Sequence, residues 1–260
     1  MSSVILDLKK GFKNYNQWFY LSYLSIKRRY AMSIIGPNWT LIANTFFILS
    51  VSFLFSGLNQ KVFSDYFVFL CFGYLIWTYI IEFVNSGNMI FLNQKIDISN
   101  GAPNLTGLVL KFTFMQMLLF AHNLPLIIIT LFFVELSLWG CVLAFFAFVI
   151  ITINMFLFLI WAGTLCARFR DVSLLIATIM RIMFFLTPII WHPDTAVGTL
   201  RNYFVIYNPF HYAISVFRDS LIGSIDPFNW YIVLFMTVIN LFIALIFFGL
   251  AKKHLVYWVQ

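Results

Sequence analysis

The sequence predicts an all-α membrane protein with six transmembrane helices. Apolar residues make up 62% of the 260 residues, against roughly 45–50% in soluble domains. Charged residues make up only 10%, and the mean hydropathy is +0.94. The apolar residues fall in continuous runs rather than in alternation, which favours helices over a β-barrel. This composition excludes a soluble enzyme, a disulfide-linked scaffold and a disordered tail.

Six apolar segments are each long enough to cross a hydrocarbon layer about 30 Å thick. They are residues 38–58, 66–84, 112–134, 137–163, 172–191 and 229–250. His122, Asn123 and Pro125 interrupt the third segment, and Pro125 is expected to kink or break the helix there. The whole chain, 1–260, is therefore expected to be a single transmembrane domain, with its six-span bundle over residues 38–250.

Positive charges are unevenly distributed over the segments that connect these spans. The chain has 16 Lys and Arg and 9 Asp and Glu, which gives a formal net charge of +7. Twelve of the 16 cations precede the first span, follow the sixth, or connect spans two to three and four to five. Lys61, Arg201 and Arg218 fall on the opposite side. The positive-inside rule therefore predicts that both termini are cytoplasmic.

Two further segments are not predicted to span. Residues 11–30 place apolar side chains at intervals of three and four, at Phe12, Tyr15, Phe19, Tyr23, Ile26 and Tyr30. This spacing predicts an amphipathic helix that lies on the cytoplasmic membrane surface or packs only on its own bundle. Residues 192–228 are largely apolar, and Asn208-Pro209 cuts them into short helices near 196–207 and 210–222. These form either a re-entrant pair or an ordinary folded outer loop.

Few side chains have the type or the spacing expected of a catalytic, metal-binding or phosphate-binding site. Phosphate-binding loops and hydrolase or metalloprotease motifs do not occur, so the chain is expected not to be an enzyme. Three scattered cysteines and four isolated histidines predict no metal site. Arg181 lies within the fifth apolar segment, where a charge is costly; it either lines a polar conduit or forms a buried pair with a carboxylate such as Glu82. Lys27, Arg28 and Arg29 precede the first span and suit either phosphate recognition or anchoring to lipid head groups.

The order of several short motifs is similar to that of a known family. Residues 26–30 read IKRRY, residues 33–39 read SIIGPNW at the start of span one, and residues 167–172 read ARFRDV after span four. Residues 186–191 read LTPIIW, followed by YNPF at 207–210, FRD at 217–219 and Gly223. This series resembles the permease subunit of type-2 ABC exporters, especially the polysaccharide branch that includes O-antigen, capsule and teichoic acid permeases. The resemblance covers residues 15–255, although residues 95–105 differ from the paired proline motifs that members often carry there.

The resemblance implies a homodimer in the bacterial inner membrane with two copies of a separate ATPase subunit, which would hold ATP and Mg. This chain would need no cofactor of its own, and its contacts would be with membrane lipids rather than nucleic acid. The substrate would be a lipid-linked polysaccharide of O-antigen type, on undecaprenyl diphosphate, moved from the cytoplasmic to the outer side. The alternatives are a type-2 exporter of capsule, teichoic acid or a small molecule, and, further off, a membrane-embedded transferase or an ion-coupled carrier.

The resemblance also implies roles for particular residues. The entrance for the lipid diphosphate would be flanked by Lys27, Arg28, Arg29, Tyr30, Gly36 and Pro37. The ATPase stroke would be received by Asn88, Asn93, Lys95, Asp97, Arg168, Arg170 and Asp171. The channel and its outer gate would be lined by Arg181, Tyr203, Phe204, Tyr207 and Phe210. No catalytic or metal-binding residue is expected.

Overall fold

The fold was obtained as a computed structural model that describes residues 2–58, 62–95, 98, 104–135, 137–196, 198–251 and 254–259. Within these residues all regular structure is helical. The helices are α1 (Ser2–Lys13), α2 (Tyr15–Arg29), α3 (Asn38–Leu58), α4 (Phe63–Gly87), α5 (Ile90–Asn93), α6 (Leu105–Ala121), α7 (Leu124–Leu131), α8 (Leu138–Arg168), α9 (Asp171–Leu186), α10 (Arg201–Ile206), α11 (Pro209–Ile222), α12 (Pro227–Ala251) and α13 (Leu255–Val259). A short 3₁₀ helix, Pro193–Ala196, precedes α10.

Four helices of the described chain, α3, α4, α8 and α12, are long and apolar enough to cross a membrane. The α6 and α7 helices supply a fifth crossing if they are counted as one span, with a bend of 44° between them. Pro125 lies in the first turn of α7, so the break predicted in the third span is confirmed. The six predicted crossings are thus reduced to four or five by length and composition.

The fifth predicted span is the one that falls short. Its helix, α9, has 16 residues, which gives a length of about 24 Å against a hydrocarbon core of about 30 Å. The helix ends because Thr187 is extended, with ψ at 137°, and is followed by Pro188. A residue before proline is disfavoured in the helical region, so this Thr-Pro pair sets the end of α9.

The centre of the bundle is α4, in which 16 of the 25 residues are buried. It contacts α3, α6, α7, α8, α9 and α11. On one side Tyr79 packs against Phe120 and Phe148, with ring centroids 5.1 and 5.0 Å from its own. By contrast, only 17% of the most apolar window is buried in each of α3 and α12. Their apolar faces are therefore left for lipid or for another chain.

The outer segment between α9 and α12 contains two short α-helices. Of the helix predicted near 196–207 only Arg201–Ile206 is α-helical, whereas the helix predicted near 210–222 is present as Pro209–Ile222. Asn208 separates α10 from α11, and its side-chain oxygen caps α11 by accepting from the Phe210 N–H at 2.9 Å. Gly223 ends α11 in the left-handed region, with φ at 89°. Nine of the 14 residues of α11 are buried, and the helix contacts α4, α8 and α12. This helix is therefore part of the core rather than a surface loop.

The amphipathic helix predicted over residues 11–30 is divided at Asn14 into α1 and α2, and both pack on α6. Asp7 accepts hydrogen bonds from the Thr106 N–H and hydroxyl at 3.1 and 2.6 Å, and the Ser22 hydroxyl donates to the Lys111 carbonyl at 2.7 Å. Within the predicted apolar face Ile26 is buried, whereas Phe12, Tyr15, Phe19 and Tyr23 are exposed. The helices therefore pack on the bundle and still present an aromatic face outward.

Replacing Gly140 with Ala should separate α8 from α11. A Cβ built on Gly140 would overlap the backbone carbonyl oxygen of Ser220, which a side-chain rotation cannot relieve. We expect Gly140→Ala to lower the free energy of unfolding by roughly 1–3 kcal/mol. The matched control is Gly249→Ala in α12, where nothing lies within 4 Å of the added Cβ. Thermal unfolding in detergent should show a lower midpoint for the first variant only, and equal midpoints for the two variants would contradict this packing.

Candidate functional site

A cleft of about 310 Å³ lies between the end of α2 and helices α3, α4 and α6. Two residues at the end of α2, Arg29 and Tyr30, form its rim. The wall is completed by Trp39, Thr40, Ala43 and Asn44 of α3, by Tyr74, Thr78, Tyr79, Ile81 and Glu82 of α4, and by Gln116, Leu119, Phe120 and Asn123. The cleft thus joins the most basic stretch of the chain to polar side chains inside apolar helices.

The rim of the cleft carries opposite charges. Arg29 is exposed, and its guanidinium carbon lies 5.8 Å from the centroid of the Tyr30 ring. Glu82, also exposed, accepts a 3.4 Å hydrogen bond from the Ser86 hydroxyl. A guanidinium at a rim of this kind suits a phosphate, because it donates several hydrogen bonds in one plane.

The interior of the cleft is largely apolar and aromatic, and the polar side chains within it are uncharged. The Asn44 amide donates to the Asn123 carboxamide oxygen at 2.9 Å and so joins α3 to the break between α6 and α7. Gln116 is 2% exposed, and its amide nitrogen has no hydrogen-bond partner in the described part of the chain. Buried polar groups almost always have a partner, so this amide is arranged for a ligand or a water molecule. The cleft can therefore hold a molecule that has both an anionic group and uncharged polar groups.

The structure brings only part of the predicted entrance to this cleft. Arg29 and Tyr30 line it, whereas Lys27 and Arg28 are exposed elsewhere on α2. Gly36, with φ at 64°, and Pro37 form the turn into α3 outside the cleft. The interior residues Asn44, Gln116 and Asn123 were not predicted as site residues. Their position as amides within otherwise apolar spans could have identified them, because a polar group in a membrane helix usually faces a cavity or a partner.

The predicted coupling residues occupy two neighbouring segments. The hydroxyl of Ser173, near the start of α9, donates to the Asn88 carboxamide oxygen at 3.4 Å, so the segment after α4 meets the segment after α8. Asn88 is fully buried and joins the two segments from inside. Five further predicted coupling residues are exposed: Asn93, Lys95, Arg168, Arg170 and Asp171. The last one, Asp97, lies outside the described residues. The guanidinium of Arg168 also lies over the Phe169 and Trp258 rings, at 5.1 and 5.3 Å.

The predicted channel and gate residues do not form one cluster within a single chain. Tyr203 and Tyr207 stack with ring planes 4° apart and are exposed, as is Phe204. Phe210 instead packs edge-on against Trp77 inside the bundle. Arg181 and Glu82 are both exposed, so the alternative of a buried pair between them is wrong within this chain. Arg181 lies on a face of α9 that also exposes Leu174, Ile182 and Phe185.

A buried arginine anchors the outer segment. Arg218 is 2% exposed, although the sequence pattern assigned it to an outer loop. Its guanidinium bonds the Asp219 carboxylate at 2.9 Å and the Pro188 carbonyl at 3.2 Å, and it lies 4.1 Å from the Phe69 ring centroid. Burial raises the pKa of Asp219 above its ordinary value, and the charge of Arg218 opposes that shift. The pair therefore fixes α11 to the end of α9 and to α4.

Arg218→Met should destabilise the protein by about 1–3 kcal/mol, because it removes the charged partner of the partly buried Asp219 carboxylate and the donor to the Pro188 carbonyl. The double variant Arg218→Met/Asp219→Leu removes both charges and should recover part of this loss. Thermal unfolding of the three proteins in detergent measures the difference. A double variant no more stable than Arg218→Met would show that the ion pair is not what the single substitution disrupts.

Comparison with known proteins supports the resemblance seen in the motifs. No family model matches the chain. This chain is 24% identical over 221 residues to an O-antigen export system permease protein RfbA of Klebsiella pneumoniae, and the aligned region covers 83% of this chain and 84% of that protein. A second protein of the same description from the same organism is 23% identical over 217 residues, covering 82% of each. The chain is thus a multi-pass membrane protein that resembles O-antigen export permeases along more than four fifths of its length.

Proposed function

We propose that this chain is the transmembrane subunit of an ATP-driven exporter that moves a lipid-linked polysaccharide of O-antigen type across the bacterial inner membrane. The proposal is carried by the cleft, in which an arginine at the rim adjoins a largely apolar interior that contains uncharged amides. A lipid diphosphate bearing sugars has the matching chemistry, since its phosphates suit Arg29 and its sugars suit the amides. The named O-antigen export permeases to which the chain is similar support the same function.

In this proposal the chain crosses the membrane six times, with both termini in the cytoplasm. The α9 helix provides about 24 Å of the fifth crossing, and the residues that follow Leu186 provide the rest. The α10 and α11 helices then form a re-entrant pair on the outer side, and α11 is buried as such a helix must be. Phe12, Tyr15, Phe19 and Tyr23 of the N-terminal helices lie at the cytoplasmic interface, where aromatic side chains are favoured.

The exposed position of Arg181 supports a homodimer. An arginine on a lipid-facing surface at mid-span costs roughly 2.5–3.5 kcal/mol, and the cost is avoided if the residue faces a water-filled conduit. The surrounding face of α9 is apolar and uncovered in one copy of the chain. We place this face at the contact between two copies, with Arg181 directed into the conduit between them and Tyr203, Phe204 and Tyr207 at its outer end.

The exposed residues at the ends of α5 and α8 form the surface proposed for the ATPase. Asn93, Lys95, Arg170 and Asp171 present charges and an amide, and the buried Asn88–Ser173 bond ties the two segments together. A push on either segment is then transmitted to α4 and α9 as a unit. ATP and Mg would be held on the partner subunit, because this chain has no phosphate-binding loop.

Deleting the gene in its own host tests the function directly. We expect surface O-antigen to disappear and undecaprenyl-diphosphate-linked polymer to accumulate on the cytoplasmic side, as measured by surface immunolabelling and by mass spectrometry of extracted lipids. Complementation with the intact gene is the control. Loss of capsule or teichoic acid with normal O-antigen would assign another substrate, and failure to make the polymer at all would favour a transferase.

Arg29→Gln should weaken binding of a polyprenyl diphosphate about tenfold, because a charge-assisted hydrogen bond to phosphate is worth about 1.5–3 kcal/mol. Lys27→Gln is the matched control: it removes one positive charge from the same helix, but Lys27 does not line the cleft. Titration of the full chain in lipid nanodiscs measures both dissociation constants. An equal loss in the two variants would indicate general attraction to the membrane surface rather than recognition at the rim.

A further inference from the structure

Gln116 lines the cleft at a position where it can contact a part of the ligand that Arg29 at the rim does not contact. It lies on α6 and lines the cleft, and its amide nitrogen is enclosed and has no hydrogen-bond partner among the described residues. The other amides of the wall, Asn44 and Asn123, already bond each other at 2.9 Å. An unpartnered amide donor in the wall of a cavity points to a ligand atom that accepts its hydrogen bond.

The chemistry of the surrounding wall selects a neutral sugar over a phosphate at this position. The polar side chains that line the interior with Gln116 are the amides Asn44 and Asn123, which suit sugar hydroxyls and offer a phosphate no positive charge. Tyr74 and Trp39 add aromatic surface with polar tips, which suits a ring that has an apolar face and a polar edge. Among the residues that the structure describes on the wall, Arg29 is the one basic side chain, and it lies at the rim.

The dimensions agree with a sugar next to a phosphate. Glu82 and Tyr74 are eight residues apart on α4, so the wall extends over about 12 Å along the helix. The cleft volume of about 310 Å³ lies at the lower end of the range of ligand sites. One sugar ring and its attached diphosphate therefore match the site, whereas a long stretch of polymer does not.

We propose that Gln116 is a specificity-determining residue, which donates a hydrogen bond to the sugar joined directly to the lipid diphosphate. The proposal rests on the proposed function and deepens it, because it separates recognition of the sugar from recognition of the phosphate. Arg29 then sets how tightly any lipid diphosphate binds. Gln116 sets how much tighter the lipid binds when it carries a sugar.

The test compares two kinds of probe on the full chain in lipid nanodiscs. One is polyprenyl diphosphate, and the other is the same lipid carrying a single glucose, galactose or N-acetylglucosamine. We expect wild-type protein to bind at least one sugar-bearing lipid about tenfold more tightly than the plain lipid. Gln116→Met introduces an apolar side chain similar in shape to glutamine. It should abolish this preference and leave binding of the plain lipid unchanged. Unchanged binding of the plain lipid also shows that the variant is folded.

Thr113→Val is the matched control, because Thr113 is buried one turn earlier on α6, bonds the Val109 carbonyl and does not line the cleft. It should retain the preference for the sugar-bearing lipid. Equal affinity of wild-type protein for plain and sugar-bearing lipids would overturn the inference, as would a Gln116→Met variant that keeps the preference or weakens both lipids equally. Failure of every lipid diphosphate to bind wild-type protein would instead count against the proposed function.

Discussion

A hydrocarbon layer offers no hydrogen-bond partner to a backbone N–H or C=O, so a chain that leaves helical structure near its core must satisfy those groups from its own side chains. In the proposed re-entrant arrangement, the segment between α9 and α11 meets this constraint at three points. The Tyr66 hydroxyl donates to the Ile190 carbonyl, Arg218 donates to the Pro188 carbonyl, and the Asn208 amide donates to the Thr187 hydroxyl. The position of α11, and with it the packing of the bundle, depends on these bonds.

Placing α11 inside the bundle determines which helices remain at the edge. On one side α11 packs against α4, α8 and α12 and joins these three helices. On the other side α3 packs mainly on α4 and leaves a gap towards α6, which the Asn44–Asn123 bond bridges. This gap is the cleft. The same arrangement leaves the apolar faces of α3 and α9 uncovered, which is where the proposed second copy would pack.

Much of the fold follows from local rules that can be read in the sequence. Long apolar runs give α3, α4, α8 and α12, and Pro125 gives the break between α6 and α7. The shortness of α9 was also readable, because Thr187 precedes a proline, but hydropathy alone extended the segment to Trp191. The division at Asn14 depends on how α1 and α2 dock onto α6, and a helical spacing rule does not contain that information.

The site was less accessible to sequence reasoning, because its residues come from helices far apart in the chain. The basic stretch at 27–29 indicated the rim, yet only tertiary packing shows that Arg29 alone reaches the cleft. Gln116 and Asn44 looked like isolated polar residues in apolar spans, and their convergence depends on the gap between α3 and α6. Arg218 was predicted to lie in a short outer helix over 210–222, but its burial against Asp219, Pro188 and Phe69 depends on tertiary packing.

If this chain works as the membrane subunit of an ATP-driven exporter, it must assemble with an ATPase. Gentle detergent extraction of the tagged chain from its own host, followed by native mass spectrometry, measures that assembly. We expect a complex of two copies of this chain with two copies of a soluble subunit that carries a phosphate-binding loop. A stable assembly of this chain without any ATPase, reproduced under mild cross-linking, would contradict it.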